Sequence, residues 1–292
     1  QAVRHRLPQA RFPASGESAA DLTEIADRFD IFLLDAFGVL NVGETAIPGA
    51  VDHVTALQRA GKQVIVVSNA AGYPKRFLMA RLDRLGFRFT PDQVLSSREV
   101  LLDRLHRTPP RHWGLMADPA YGLEELDGLD ATILGDDPAP YDAVQGFAFL
   151  GSGTWTDHRQ HLLTESLRRQ PRPVLVGNPD IVAPREGGLS LEPGHYAHLL
   201  ADRIGIAPEF FGKPYPAIFD MALARARAAR PDATDPARIV MVGDTLHTDI
   251  LGGAAAGVKT ALVTGFGALV GMDVQQAITT SGITPDMILP RP

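Results

Sequence analysis

Four short, mostly apolar runs recur along the chain, and all of them are rich in branched side chains. They occupy positions 31–34, 64–67, 239–242 and 260–263. Strands buried on both faces of a parallel sheet have this continuous apolar pattern. Between the runs, apolar residues recur at helical spacing over 50–60, 75–85, 215–230 and 248–256, and glycines stand where three of these helices end, at Gly61, Gly86 and Gly257. The alternation predicts a doubly wound, Rossmann-like α/β parallel sheet with right-handed crossovers.

Residues 97–191 break this alternation. They hold strand candidates of their own at 114–116, 131–134, 143–150 and 174–176, together with a helical pattern over 158–169. We therefore predict a smaller α/β domain (97–191) inserted into a core formed by 21–96 and 192–292, after an N-terminal tail (1–20). Two local predictions accompany this division. Residues 21–29 have the spacing of a short amphipathic helix, and residues 178–193, rich in Pro and Gly, form an irregular return to the core.

Composition and charge exclude several classes of function. The formal net charge of −6 argues against general nucleic-acid binding, which needs a basic surface. The absence of cysteine excludes disulfides, iron–sulfur clusters and cysteine-ligated zinc. No apolar run approaches the roughly 18–20 residues of a membrane helix, and residues 1–12 lack the apolar centre of a secretory signal. We expect a cytoplasmic protein that binds neither nucleic acid nor membranes.

Three of the four apolar runs end in a polar residue suited to catalysis, namely Asp35, Ser68 and Asp244. Ligands of open parallel sheets bind beyond the carboxyl ends of the strands, so these side chains should converge on one crevice. Asp249 and Lys213 complete a set of carboxylates and one cation that suits Mg²⁺ and a phosphoryl group.

This set predicts a mechanism. Asp35 attacks phosphorus and becomes a phosphoaspartate. Ser68 and the backbone N–H of Asn69 hold the transferring oxygens, and Lys213 steadies the nucleophile and the phosphoryl group. In the same scheme Asp244 ligates Mg²⁺, and Asp249 ligates it or orients its waters.

Four segments in order, 35–40 (Asp-Ala-Phe-Gly-Val-Leu), 67–69 (Val-Ser-Asn), 212–219 (Gly-Lys-Pro-Tyr-Pro-Ala-Ile-Phe) and 243–249 (Gly-Asp-Thr-Leu-His-Thr-Asp), resemble the four motifs of the haloacid-dehalogenase-like superfamily. Segments 47–50, 178–180 and 249–257 are similar to its class IIA branch, which includes NagD-type and 4-nitrophenyl-phosphatase-like enzymes. The resemblance implies a catalytic core with an inserted α/β cap, and a Mg²⁺-dependent phosphatase of a small phosphorylated metabolite. It also implies a metal contact from the backbone carbonyl of Phe37 and a possible homodimer. Asn178 and Asp180 either face the substrate or serve ordinary turn chemistry.

The chain departs from this pattern at Phe37, where family phosphatases carry a second Asp that protonates the leaving group and activates water. General acid–base catalysis contributes about 10²–10⁴-fold in rate. The candidates to replace this acid–base function are His247 and a residue of the inserted domain such as Asp180; the alternative is a substrate whose leaving group needs no proton. An aromatic residue at this position is similar to a class IIA subgroup with Trp, and to the dehalogenases, which have Tyr. Two alternatives stay open: a catalytically impaired phosphate-ester-binding protein and a carbon–halogen hydrolase.

Overall fold

The computed structural model describes residues 3–109, 111–121, 124–126, 128–185, 188–233 and 235–292. Two compact units are distinguished within it. The first unit contains Gln1–Ser68, Leu78–Leu95 and Lys213–Pro292, and the second unit contains Asn69–Phe77 and Ser96–Gly212. The predicted division into a tail (1–20), a core (21–96 and 192–292) and an inserted domain (97–191) stays a prediction.

The strands and helices are numbered in chain order. The strands are β1 Glu17–Ser18, β2 Ile31–Leu34, β3 Asn41–Val42, β4 Thr45–Ala46, β5 Gln63–Ser68, β6 Val94–Ser96, β7 Trp113–Met116, β8 Ala131–Ile133, β9 Gly146–Phe149, β10 Val174–Val176, β11 Val182–Arg185, β12 Gly188–Leu191, β13 Glu209–Phe210, β14 Ile239–Gly243, β15 Lys259–Val263 and β16 Met287–Leu289. The α-helices are α1 Ala50–Arg59, α2 Lys75–Arg84, α3 Ser97–Arg107, α4 Ala139–Ala143, α5 Asp157–Arg169, α6 Pro193–Ile204, α7 Pro216–Ala229, α8 Leu251–Ala255 and α9 Val274–Ser281.

The first unit is built on a sheet whose described strands follow the order β1-β16-β15-β14-β2-β5-β6. Strand β2 pairs in parallel with β14 on one side and with β5 on the other, and Leu34 stands opposite both Val242 and Val66. All four residues of β2 are fully buried, as its continuous apolar pattern predicts. The chain leaves β2 toward one neighbour and later returns to the other, which makes the end of β2 a topological switch point.

Helices α1 and α7 pack their apolar stripes against this sheet. Helix α1 buries Ala50, Val54 and Leu57, which follow one another at helical spacing. Both helices lie within one or two residues of their predicted positions. These helices and the parallel sheet confirm the predicted α/β fold class.

The N-terminal part of the first unit differs from expectation in one respect. Residues 21–29 were predicted to form a helix, and that prediction is wrong, because they form turns and a single 3₁₀ segment, Ala26–Arg28. The Asp21 carboxylate accepts hydrogen bonds from both the N–H and the hydroxyl of Thr23, a local pairing that competes with a helical start.

Upstream, Leu7 and Phe12 pack against an apolar cluster that includes Ile250.

The second unit has a parallel sheet of its own, in which the described strands follow the order β13-β10-β9-β7-β8. Phe147, Phe149 and Trp155 form part of its aromatic core. The predicted strand 143–150 is shorter than expected, because α4 still includes Ala143 and β9 begins at Gly146.

The prediction that 178–193 is irregular is wrong. Strands β11 and β12 form an antiparallel hairpin, in which Pro184 stands opposite Leu189. A proline is tolerated there because each strand of an isolated hairpin keeps one edge that needs no ladder partner.

None of the helices in the described part of the chain has the length and apolar character of a membrane span.

Candidate active site

Three neighbouring strands of the first unit deliver polar side chains to the same edge of the sheet. Asp35 directly follows β2, Ser68 ends β5 and Asp244 directly follows β14. The Asp35 N–H donates to the carbonyl oxygen of Val242 over 2.9 Å, which extends the β2–β14 ladder to the nucleophile candidate. The parallel register therefore brings these three strand ends together, as the alternation of strands and helices predicted.

Lys213, which precedes α7, joins two of the carboxylates. Its Nζ lies 2.7 Å from Oδ1 of Asp35 and 2.8 Å from Oδ1 of Asp249. The side chains of Lys213 and Asp249 are 2% and 0% exposed, whereas that of Asp35 is 15% exposed. Asp35 is thus the member of this ion-paired group that a substrate can reach.

One oxygen of Asp35 is held by two donors. Oδ1 accepts the N–H of Ala36 over 2.7 Å as well as the Lys213 ammonium. No described residue donates a hydrogen bond to Oδ2, so this oxygen is available to a substrate or a cation. A carboxylate fixed at one oxygen and open at the other suits nucleophilic attack.

Asp244 is buried and tightly enclosed by backbone. Its Oδ1 accepts the Thr245 hydroxyl over 2.9 Å, and its Oδ2 accepts the N–H of Ala268 over 2.7 Å. A Cβ atom at Gly38 or at Gly267 would overlap its carboxylate. Glycine at both positions allows the backbone to approach this side chain.

Asp249 lies in a π-helical turn, Leu246–Ile250, that leads into α8. Such turns are frequent at functional sites. Besides the Lys213 ammonium, it accepts the N–H of Thr245 over 3.1 Å and the hydroxyl of Thr248 over 3.3 Å. A Cβ atom at Gly243 would overlap its carboxylate, so the strand end must be glycine there.

The three carboxylates form one electrostatic unit. Asp35, Asp244 and Asp249 each offer an oxygen, and these oxygens all lie within 4.8 Å of one another. Burial raises the pKa of Asp244, and repulsion from Asp35 and Asp249 raises it further. Burial also raises the pKa of Asp249, although the Lys213 ammonium opposes that shift. Burial disfavours the charge of Lys213, but the two carboxylates outweigh it and raise its pKa.

This donor set fits a divalent cation. A cation among the carboxylates would offset the repulsion that raises the pKa of Asp244, and oxygen ligands are those that Mg²⁺ prefers. Because Asp249 is fully buried and already paired with Lys213, Asp35 and Asp244 are the better placed direct ligands.

Asn69, Asn178 and Asp180 belong to the second unit and form a hydrogen-bonded network there. Asn69 donates from Nδ2 to Oδ1 of Asp180 over 2.8 Å, and the Asp180 N–H donates to Oδ1 of Asn178 over 2.9 Å. Asn178 in turn donates to the buried carboxylate of Glu192 over 3.2 Å. A Cβ atom at Gly212 would overlap Oδ1 of Asn69, so the Asn69 amide is enclosed on both sides.

Sequence reasoning missed several members of the site. Thr245, Ala268 and Glu192 were not among the predicted residues. Ala268 contributes only its backbone N–H, which leaves no mark in a side-chain pattern, whereas the Thr245 hydroxyl and the Glu192 carboxylate do act through side chains. His247 is exposed, and Arg4 of the N-terminal segment is a charge that acts on it. Although the residue as a whole is exposed, neighbouring atoms displace water from its imidazole, and this loss of water and the positive charge of Arg4 lower the pKa of His247.

Comparison with known protein families gives two matches. Residues 32–128 match the model described as haloacid dehalogenase-like hydrolase, and residues 210–289 match a second model described as HAD-hydrolase-like. Together these matches span the residues that form the carboxylate and lysine cluster.

Individual relatives and a solved structure agree with the family models. Glycerol-3-phosphate phosphatase from Homo sapiens is 32% identical over 264 residues, with 80% of this chain and 78% of that protein covered. Chronophin from Homo sapiens is 31% identical over 257 residues, with 83% of each chain covered. A structure described as a possible sugar phosphatase of the HAD superfamily, from Cytophaga hutchinsonii, superposes with a TM-score of 0.83 at 25% identity, covering 94% of this chain and 98% of that chain.

Proposed function

We propose that this chain, which belongs to the haloacid dehalogenase-like hydrolase family, is a Mg²⁺-dependent phosphatase of a small phosphorylated metabolite. Its relatives include enzymes of the class IIA, NagD type. The observation that supports this proposal best is the Lys213 ammonium between Asp35 and Asp249, with Asp244 beside them. The phosphatases among its relatives favour this reaction over carbon–halogen cleavage.

In the proposed reaction, Asp35 attacks phosphorus through the oxygen that is not held by Ala36 and Lys213. Lys213 keeps the nucleophile ionised and in place, and its charge offsets the repulsion between two anions. Asp249, which is buried and paired, positions Lys213. Cations or hydrogen-bond donors must face the phosphoryl group, because the Asp35 carboxylate and the phosphoryl group both carry negative charge.

Asp35 and Asp244 would hold the Mg²⁺ ion, together with the backbone carbonyl of Phe37. When bound, the ion neutralises charge on the phosphoryl group and orients it for in-line displacement. The Ala268 N–H and the Thr245 hydroxyl fix the Asp244 carboxylate, so its oxygens are oriented before the ion arrives.

Ser68 and the N–H of Asn69 would bind the transferring phosphoryl oxygens. Asp180 holds the Asn69 amide by accepting a hydrogen bond from its Nδ2. We therefore assign Asp180 and Asn178 a positioning function toward Asn69 in place of the direct substrate contact that the sequence suggested.

The test is hydrolysis of 4-nitrophenyl phosphate with and without Mg²⁺. We expect Asp35→Asn to lower kcat by roughly 10³-fold or more, as removal of a nucleophile does. Asp52→Asn, on the exposed face of α1, is the matched control and should retain the wild-type rate. Equal rates for wild type and Asp35→Asn would exclude Asp35 as the nucleophile, and tight binding without turnover over a broad panel would indicate a binding protein.

A further inference from the structure

The leaving group of a phosphoryl transfer needs a proton only when it is a strong base. As Asp35 attacks, the bond between phosphorus and the leaving oxygen breaks, and the electron pair departs with that oxygen. An alkoxide is a strong base and must be protonated as it forms, whereas a carboxylate or a phosphate is already a stable anion at neutral pH. The acids that surround Asp35 therefore decide which leaving groups the site can expel.

The turn that follows the nucleophile offers no such acid. The Ala36 N–H is bonded to Asp35, and the backbone at Gly38 lies against the Asp244 carboxylate. Position 37 thus lies in a turn that runs from one carboxylate to the other. It is occupied by Phe37, whose ring has no proton to exchange.

The other carboxylates of the described cluster already act as acceptors. Asp244 accepts at both oxygens, from Thr245 and from the N–H of Ala268. Asp249 accepts from Lys213, from the Thr245 N–H and from Thr248. The oxygens of both side chains are thus engaged by donors or by the Lys213 ammonium, whereas the second oxygen of Asp35 is open.

Neither of the two substitutes that the sequence suggested belongs to the cluster formed by Asp35, Lys213, Asp244 and Asp249. Asp180 accepts the Asn69 amide and belongs to the network of the second unit. His247 is exposed and lies in the electrostatic field of Arg4. In the ranges that the structure describes, His247 forms no hydrogen bond with Asp35, Asp244 or Asp249.

We propose that this site acts on phosphoryl compounds whose leaving group is a stable anion, namely acyl phosphates and phosphoanhydrides, and discriminates against alkyl phosphate esters. The proposal rests on the proposed phosphatase function and narrows its substrate class. It sets the chain apart from its relative named glycerol-3-phosphate phosphatase, whose name specifies an alkyl ester.

The steps balance without an added acid. In the first step, the Asp35 oxygen forms a bond to phosphorus, and the acyl carboxylate leaves with its electron pair. In the second step, a water oxygen forms a bond to phosphorus, and the electron pair of the bond between phosphorus and the Asp35 oxygen returns to the Asp35 carboxylate. One water proton stays on the inorganic phosphate, and the other is released to solvent. Because aspartyl phosphate is itself an acyl phosphate, the first step exchanges one acyl phosphate for another, whereas an alkyl ester would have to form a more reactive compound.

The experiment compares kcat/KM, with Mg²⁺, for acetyl phosphate, glycerol 3-phosphate and a series of aryl phosphates of increasing leaving-group pKa. kcat/KM reports the steps up to phosphoenzyme formation, while the second step is common to all substrates. We expect kcat/KM of the wild type to fall steeply as the leaving-group pKa rises. Phe37→Asp should raise kcat/KM for glycerol 3-phosphate relative to acetyl phosphate by roughly 10²-fold or more. Phe37→Asn introduces a side chain of the same size as Asp but without an acidic proton, and it should leave this ratio of kcat/KM values unchanged.

A wild-type kcat/KM that does not depend on the leaving-group pKa would overturn the proposal. So would an equal change in the substrate ratio for Phe37→Asp and Phe37→Asn. If either variant fails to fold by circular dichroism, the wild-type aryl series alone decides. Absence of Asp35-dependent turnover with every substrate would instead refute the phosphatase function, so the two failures are distinguishable.

Discussion

Removal of the Lys213 charge is the perturbation whose size follows most directly from the structure. The ammonium lies 2.7 and 2.8 Å from oxygens of Asp35 and Asp249, and both Lys213 and Asp249 are almost completely buried. Lys213→Met keeps the length of the side chain but leaves the Asp249 carboxylate buried without its cation. Breaking a buried ion pair in this way costs about 3–5 kcal/mol. We expect that loss in the free energy of unfolding at neutral pH.

The assay is urea denaturation in the presence of EDTA, so that bound metal does not compensate for the missing charge. The matched control is the double variant Lys213→Met with Asp249→Asn, which removes both charges and should recover most of the loss. The cost of the single variant should also shrink as the pH is lowered, because a protonated Asp249 needs no cation. A single variant within about 1 kcal/mol of wild type, or a double variant that is no more stable than the single one, would refute this account of the pair.

Three further predictions concern the metal, the backbone and the second unit. Without metal, the pKa of Asp244 in the folded state lies above its unfolded value of 3.8, at about 8, so the folded state binds more protons and stability should fall as the pH rises through that window. Saturating Mg²⁺ should remove this dependence, and melting temperatures against pH in EDTA and in Mg²⁺ will measure it; stability that rises with pH in EDTA would contradict it. Gly267→Ala should lower Mg²⁺ affinity, because the new Cβ would meet Asp244. The control is Gly271→Ala, where φ is also left-handed (+76° against +78° at Gly267) and the new Cβ would meet no other atom. This control should cost only about 1–2 kcal/mol of stability and leave Mg²⁺ titrations unchanged. Asp180→Asn should lower kcat/KM about tenfold through loss of a charged hydrogen bond to Asn69; an unchanged value would remove Asp180 from the positioning of Asn69.

The sequence was most informative where burial is uniform. The run 31–34 and the run 174–176 coincide with β2 and β10, because residues that are apolar at every position belong to strands covered on both faces. The convergence of Asp35, Ser68 and Asp244 followed from the same pattern, since adjacent parallel strands end at one edge. Where local hydrogen bonding competes with periodicity, the prediction failed, as Asp21 and Thr23 show.

The remaining errors have a common physical origin. The hairpin of β11 and β12 was hidden because Pro184 and the neighbouring glycines indicate a loop when no strand pairing is known. The contacts of Asp244 with Ala268 and Gly267 depend on two loops that are distant in sequence, and only folding brings them together. The sequence shows a glycine, Gly267, shortly after the buried run 260–263, but it does not show that Asp244 is the carboxylate that packs against it.

The central claim is that Asp35 carries the phosphoryl group during turnover. Its most direct test is an acid quench of the Mg²⁺-loaded enzyme during the first turnover of acetyl phosphate, followed by mass spectrometry of the peptides. The account predicts one added phosphoryl group on the peptide that contains Asp35, and none on that peptide in Asp35→Asn. Product formation without a phosphorylated Asp35, or a phosphoryl group on another residue, would contradict it.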